Sequence, residues 1–186
     1  MSGENRSLSL LPLHCHCYNY KMHDSPLLQI YITDVTADDW QKLYRFLNKT
    51  DAHLHLSLND HVMSLPDSLH ILDETGHPLQ LEIVLGDIKL QTLISSPDAI
   101  RIHFAPDALK NVAQRKVILR LMSTLSRRLR KDALLTLAEH EDIILCKYSL
   151  DTGWVLYPSL DRLIKTTSKL KWYIDDIKHL LKNIFK

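Results

Sequence analysis

The residues best suited to metal binding form an alternating segment near the start of the chain: His14, Cys15, His16 and Cys17. In an extended strand the two histidines would share one face and the two cysteines the other. A tight transition-metal site needs three or four converging ligands, usually with two to four residues between the members of a pair. One-residue spacing supplies only two ligands to each face. We therefore expect no bound metal, unless His23, His53 or His55 folds over to complete a site.

The chain also lacks the local patterns that mark common active sites. It contains no Gly-x-Ser-x-Gly turn, so the serine nucleophile of the hydrolases that use this turn is excluded. Cys146 lies in an apolar run that begins at Ile143, and a buried thiol is more often inert than nucleophilic. Only four glycines occur and they are scattered, whereas phosphate-binding loops require clustered glycines. We expect neither a catalytic motif nor a cofactor.

Two further groups of titratable residues have simple structural explanations. His53 and His55 alternate with leucines, so they fall on the solvent side of a half-buried strand. The turn at 139–142 carries three acids and a histidine, but the sequence shows no apolar segment beside it that would tune them for catalysis. We interpret both groups as solvated. An active site assembled from distant segments is the weakest alternative.

The strongest charge feature is a basic face on the helix predicted over 107–131. At about 100° per residue, four cationic side chains fall opposite an apolar stripe: Lys116, Arg120, Arg127 and Lys131. One explanation is a solvated face whose partners lie in the acidic first half of the chain. The other is a binding surface for a phosphate backbone or an acidic protein. No aromatic residue interrupts the face, which argues against the stacking of single-stranded bases.

A closing helix, predicted from about Thr167 to Phe185, carries a large aromatic residue on its polar side. Its apolar stripe repeats at helical spacing and leaves Trp172 on the far side. The polar neighbours of this tryptophan are Asp175, Asp176 and His179. Because exposed aromatic residues are enriched in interfaces, we predict that these four residues form a protein interface. Packing of Trp172 on a loop of its own chain is the alternative.

The elements that position these residues are mostly strands. Alternating or β-branched segments bounded by turn residues predict eight of them: 27–33, 53–58, 69–73, 79–85, 88–94, 100–104, 134–138 and 143–148, with a short addition at 154–157. A capping pattern at Thr36 and Asp39 begins a helix over about 36–48. This order predicts an α+β fold: a mostly antiparallel sheet, a meander plus a hairpin, with helices packed on one face.

Length and composition set the class of protein. The 186 residues suit one domain, which we assign to 27–186, preceded by a poorly ordered or edge-strand segment at 1–26. Net charge is +1, but residues 1–105 carry a balance of −6 and residues 106–186 a balance of +7. No run approaches the roughly 18 apolar residues of a membrane span. Three cysteines that cannot all pair within one chain suit the cytoplasm.

The sequence favours a non-enzymatic, cytoplasmic protein-binding or accessory module of a chaperone-like or toxin-neutralising type. We expect it to be oligomeric, a homodimer through a helix face or an edge strand. Nucleic-acid or phosphate binding through the basic face of helix 107–131 is the alternative. An enzyme without a local sequence signature is the weakest alternative. No membrane partner is expected.

Overall fold

The computed structural model describes residues 27–69, 79–94 and 98–157, together with His179. Within this part of the chain, nine strands form one sheet in the order β3-β2-β4-β5-β6-β1-β7-β8-β9. The strands are β1 (Leu28–Thr33), β2 (His53–Leu58), β3 (His61–Met63), β4 (Leu79–Leu85), β5 (Ile88–Ile94), β6 (Ala99–Phe104), β7 (Ala133–Leu137), β8 (His140–Ser149) and β9 (Gly153–Leu156).

Every neighbouring pair of strands runs antiparallel. The predicted antiparallel sheet is therefore confirmed, with β4, β5 and β6 as its meander and β7 and β8 as its hairpin. The first strand lies in the middle of this sheet, between β6 and β7. Strand β3 is absent from our sequence prediction because three residues are too few to show an alternating pattern.

Helix α1 (Ala37–Leu47) begins as the sequence predicts. The Thr36 hydroxyl accepts a hydrogen bond from the Asp39 backbone N–H, and the Asp39 carboxylate accepts one from the Thr36 backbone N–H, which is a complete capping box. Trp40 and Tyr44, one turn apart, are fully buried. The Tyr44 hydroxyl donates to the Pro66 carbonyl oxygen at 2.7 Å, which satisfies the polar end of this core side chain.

The segment 107–131 forms two helices, so the prediction of a single helix is wrong. Helix α2 (Asp107–Lys110) ends at Asn111, whose backbone is extended, and α3 (Val112–Leu129) begins there. The Asn111 side-chain oxygen accepts hydrogen bonds from two backbone N–H groups of the first turn of α3. An asparagine that caps a new helix in this way competes with continuation of the old one.

One apolar core joins the helices to the sheet. It contains alternate residues of the central strands and the buried side chains of α1, α2 and α3. Helix α3 contacts α1, β7 and β8. No helix within 27–69, 79–94 or 98–157 is long and apolar enough to cross a membrane.

Three predictions fall outside the described residues: the segment 1–26, the hairpin turn at 74–77 with most of its first strand, and the closing helix apart from His179. His179 is helical and exposed. The division into 1–26 and 27–186 stays a prediction.

Candidate functional site

Six polar side chains form a continuous row across the sheet. They occupy strand positions that alternate with the core residues, so they lie on the face opposite the core, which we call the outer face. Neighbouring members are directly opposite one another in the strand register. From β2 to β7 the row is His55, Glu82, Gln91, His103, Gln29 and Thr136.

The row is tightly hydrogen bonded at its β6–β1–β7 end. The Gln29 amide nitrogen donates to the Thr136 hydroxyl at 3.0 Å, and the Gln29 amide oxygen lies 3.0 Å from His103 Nε2. Gln29 and Thr136 are both 0% exposed. An amide oxygen only accepts, so His103 carries its proton on Nε2 and Nδ1 is the acceptor nitrogen. Burial, reinforced by the positive charge of Arg101, lowers the pKa of His103 and favours the neutral ring.

A second polar group lies beside this row. The Arg101 Nε atom donates to the Glu141 carboxylate at 2.6 Å, and the Arg101 guanidinium stacks 5.0 Å from the centre of the Tyr31 ring. Tyr31 and Gln29 lie near enough to Glu141 for their polar groups to help lower the pKa of that carboxylate. We call the set of six residues the outer-face cluster: Gln29, Tyr31, Arg101, His103, Thr136 and Glu141.

Electrostatics in the outer-face cluster favour a charged carboxylate and a neutral phenol. Partial burial alone would raise the pKa of Glu141, but hydrogen bonds from Arg101 and Tyr31 outweigh it and hold that pKa below its ordinary value. Burial, and then the bond to Glu141, raises the pKa of Tyr31. The acidic turn at 139–142 was interpreted as solvated, and for Glu141 that interpretation is wrong because this side chain is half-buried and bonded.

The outer-face cluster is suited to holding structure rather than to catalysis. Its hydrogen-bonding groups largely satisfy one another, and its carboxylate is already paired with Arg101. Within the described residues, no three histidine, cysteine or acidic side chains are close enough together to hold a metal ion. Sequence reasoning missed the cluster because 27–33 was predicted to be a strand from its β-forming residues, without asking which side chains share a face. The informative signal was that Gln29 and Tyr31 alternate with Leu28, Ile30 and Ile32.

The four basic residues predicted to share a face of helix 107–131 do not behave as one set. Lys116 and Arg120 are exposed, and neither makes an ion pair within the described chain. Arg127 is exposed but donates through Nε to the Tyr148 hydroxyl at 2.9 Å and stacks on that ring. Lys131 does not fit the solvated face that was one explanation of the basic residues. Its Nζ donates to the Asp34 carbonyl oxygen at 2.6 Å and lies 3.7 Å from Asp39.

The remaining candidate residues are placed as follows. His53 and His55 are exposed on the outer face, on the solvent side as predicted. Cys146 is buried, and burial raises its pKa to about 12, so the thiol is unreactive. The metal candidate at 14–17 lies outside the described residues. So do Trp172, Asp175 and Asp176, and their predicted interface stays a prediction.

The edge of the sheet at β3 exposes apolar side chains. Asn59 and Asp60 both have positive φ, as a two-residue hairpin turn between β2 and β3 requires. All three residues of β3 are exposed, and Val62 is 79% exposed. Met63 and the nearby Leu65 are also exposed. Among the described residues β3 pairs with β2 alone, so its other side is an edge.

Comparison with known proteins gives no relative. No protein-family model, curated protein or solved structure matches this chain.

Proposed function

We propose that the protein is a non-enzymatic binding module that associates with another protein chain through the β3 edge of its sheet. The observation that carries the proposal is Val62, the most exposed large apolar side chain among the described residues, on an edge strand. We include in the proposal a cytoplasmic location, which the unpaired, buried Cys146 suits. We also include helices that lie on the core face alone, which leaves the β3 edge uncovered by them.

Within the described residues, β3 carries none of the side chains that protect sheet edges in monomeric proteins, although it is only three residues long. Such edges carry lysine, proline, a bulge or a covering segment, because unpaired backbone groups otherwise bind another strand. His61, Val62 and Met63 supply none of these side chains. At the opposite edge, by contrast, every residue of β9 is partly buried. The asymmetry favours β3 as the edge that recruits another strand.

The partner most consistent with this edge is a second copy of the chain. Antiparallel pairing of β3 with its own copy about a twofold axis places Val62 opposite Val62, and each His61 opposite a Met63. Such a contact joins two sheets and covers the exposed valine on both chains. It matches the homodimer that the sequence favours.

The test is Val62→Lys, with Val112→Lys as its matched control. Val112 is 56% exposed but lies on α3, away from the edge. Both changes are on the surface and should leave the free energy of unfolding within about 0.5 kcal/mol of the parent. We expect sedimentation equilibrium to show a dimer for the parent and for Val112→Lys, and a monomer for Val62→Lys. A monomeric parent, or equal association of the two variants, would contradict the proposal.

A second candidate function is binding of a nucleic-acid backbone by α3. It is favoured by Lys116 and Arg120, which are exposed, one helical turn apart, and without an acidic partner in the described chain. Their separation along the axis is about 6 Å. Phosphate contacts of this kind supply affinity without sequence preference.

This candidate is tested with a generic DNA duplex. Replacement of Lys116 and Arg120 by Glu should lower affinity and flatten its dependence on salt concentration. Lys89→Glu changes an exposed lysine on the sheet and should have little effect. Arg127 is left unchanged, because its loss would also remove the bond to Tyr148. Equal affinity in all three proteins would exclude α3 as the binding surface.

A further inference from the structure

An open cleft of about 530 Å³ lies away from both surfaces just described. It forms where the end of β1, the end of α3, the start of β7 and the turn between β8 and β9 meet. Its size is within the range of sites for small molecules. The lining is polar and carries charges of both signs: Asp34, Arg130, Lys131, Asp132 and Asp151, beside Ser149.

Arg130 has an unfavourable backbone conformation in the wall of the cleft. Its φ of 56° and ψ of 43° are left-handed, at the position where α3 ends. Helices usually place glycine or asparagine in this conformation, because a Cβ atom crowds the neighbouring carbonyl oxygen. Asp34, which also lines the cleft, has φ of 57°, but aspartate tolerates this region better than arginine does. A residue with a Cβ atom at position 130 therefore costs the fold some stability that glycine would not cost.

No polar contact of the Arg130 guanidinium with the described chain offsets this cost. It is exposed, and it makes no hydrogen bond or ion pair with residues 27–69, 79–94 or 98–157. The other cation of the cleft, Lys131, is already bound to Asp34 O and lies near Asp39. Arg130 is thus the cation of the cleft that remains available to an anion.

Two carboxylates of the cleft complement the positive charge of Arg130. Asp34 and Asp151 form no ion pair among the described residues, whereas the Asp132 carboxylate is bound by Lys147. The carbonyl end of α3 adds negative potential at the same place. The same cleft therefore offers hydrogen-bond acceptors to a cationic group and hydrogen-bond donors to an anionic group.

We propose that the cleft binds a small zwitterion of the amino-acid type. The carboxylate of the ligand pairs with the planar donor fork of Arg130, which matches carboxylate geometry. The ammonium group of the ligand lies against Asp34 and Asp151. This binding site does not involve the β3 edge, so its test is independent of the test of the proposed dimer.

The test is a titration of the amide NMR spectrum with free amino acids, with acetate and methylammonium as probes for each half of the ligand. We expect at least one amino acid to give saturable shifts at Asp34, Arg130 and Asp151, and tighter binding than either half-probe. Absence of saturable shifts with all twenty amino acids, or acetate binding as tightly as the best amino acid, would overturn the proposal.

Variants at Arg130 distinguish an effect on ligand affinity from an effect on the stability of the fold. Arg130→Gly relieves the left-handed conformation, so we expect a higher midpoint of thermal unfolding together with at least a tenfold loss of affinity. Arg130→Lys keeps the charge at the end of α3 but loses the fork, and it should also lose affinity. Arg128→Ala, an exposed arginine outside the cleft wall, should bind as the parent does. Unchanged affinity in Arg130→Gly would refute the assignment.

Discussion

Glu141 binds Arg101 through a 2.6 Å contact although two strands lie between theirs. Neighbouring strands are roughly 4.8 Å apart, so a flat sheet would hold β8 and β6 too far apart for this contact. The pairing of β7 with β8 shifts register twice, between Leu135 and Leu137. Such bulges bend and twist a hairpin. We infer that the β7–β8 tip curls over the outer face, where Glu141 fastens it.

Glu141→Gln tests this fastening. The change keeps the size of the side chain and removes its charge. Because both partners are about one-third exposed, we expect a loss of about 1 kcal/mol or less in the free energy of unfolding. Amide hydrogen exchange at 138–142 should accelerate more than exchange in β4 and β5, which β6 and β1 separate from β7 and β8 in the sheet. Uniform acceleration across the sheet would show that Glu141 stabilises the whole fold and not the tip.

His103 should make the protein less stable in mild acid. Its pKa is lowered by burial in the folded state, so the unfolded chain takes up a proton first as pH falls below about 6.5. The free energy of unfolding should therefore decrease from about pH 7 to about pH 5, and part of that decrease should vanish in His103→Gln. The lowered pKa of Glu141 acts in a separate window, below about 4.5. An identical pH dependence in parent and variant would contradict a neutral, buried His103.

Gln29 and Gln91 lie two strands apart in the same row of the sheet, and they form a matched pair. The Gln29 side chain bonds Thr136 and His103, whereas Gln91 makes no side-chain hydrogen bond with the described residues. Gln29→Leu should cost about 2–3 kcal/mol, since it leaves buried polar partners unsatisfied. Gln91→Leu should change stability by about 0.5 kcal/mol or less. Chemical denaturation measures both, and equal costs would argue against the network.

Lys131 and Lys116 should respond differently to the same substitution. Lys131→Met removes the donor to the Asp34 carbonyl oxygen and one of the cations near the buried Asp39 carboxylate, so we expect a loss of about 1–2 kcal/mol. Lys116→Met removes an exposed charge and should have almost no effect. Thermal unfolding of the two variants decides the matter. Equal stability would mean that Lys131 belongs with the solvated basic face, as the sequence suggested.

Much of the sheet is encoded locally, and the outer-face cluster is not. Alternation along β4 and β5 and the capping pair of Thr36 and Asp39 are short-range signals, and the structure agrees with them within a residue or two. The Arg101–Glu141 contact joins residues 40 positions apart, and the pairing of β7 with β8 shifts register twice, neither of which any periodicity shows. The break at Asn111 was equally hidden, because Leu109, Lys110 and Ala113 close to it all favour helix.

The central place of β1 affects how the chain emerges from the ribosome. Leu28 pairs with Phe104 on one side and with Leu137 on the other, 76 and 109 positions later. At about 5–20 residues per second, β1 waits about 4–15 s for its first neighbour and longer for its second. During that time both of its hydrogen-bonding edges, and the apolar Leu28, Ile30 and Ile32, are open to other nascent chains. Synonymous codons that slow translation between residues 33 and 99 would lengthen this interval, and we expect them to lower the soluble yield without altering a single amino acid.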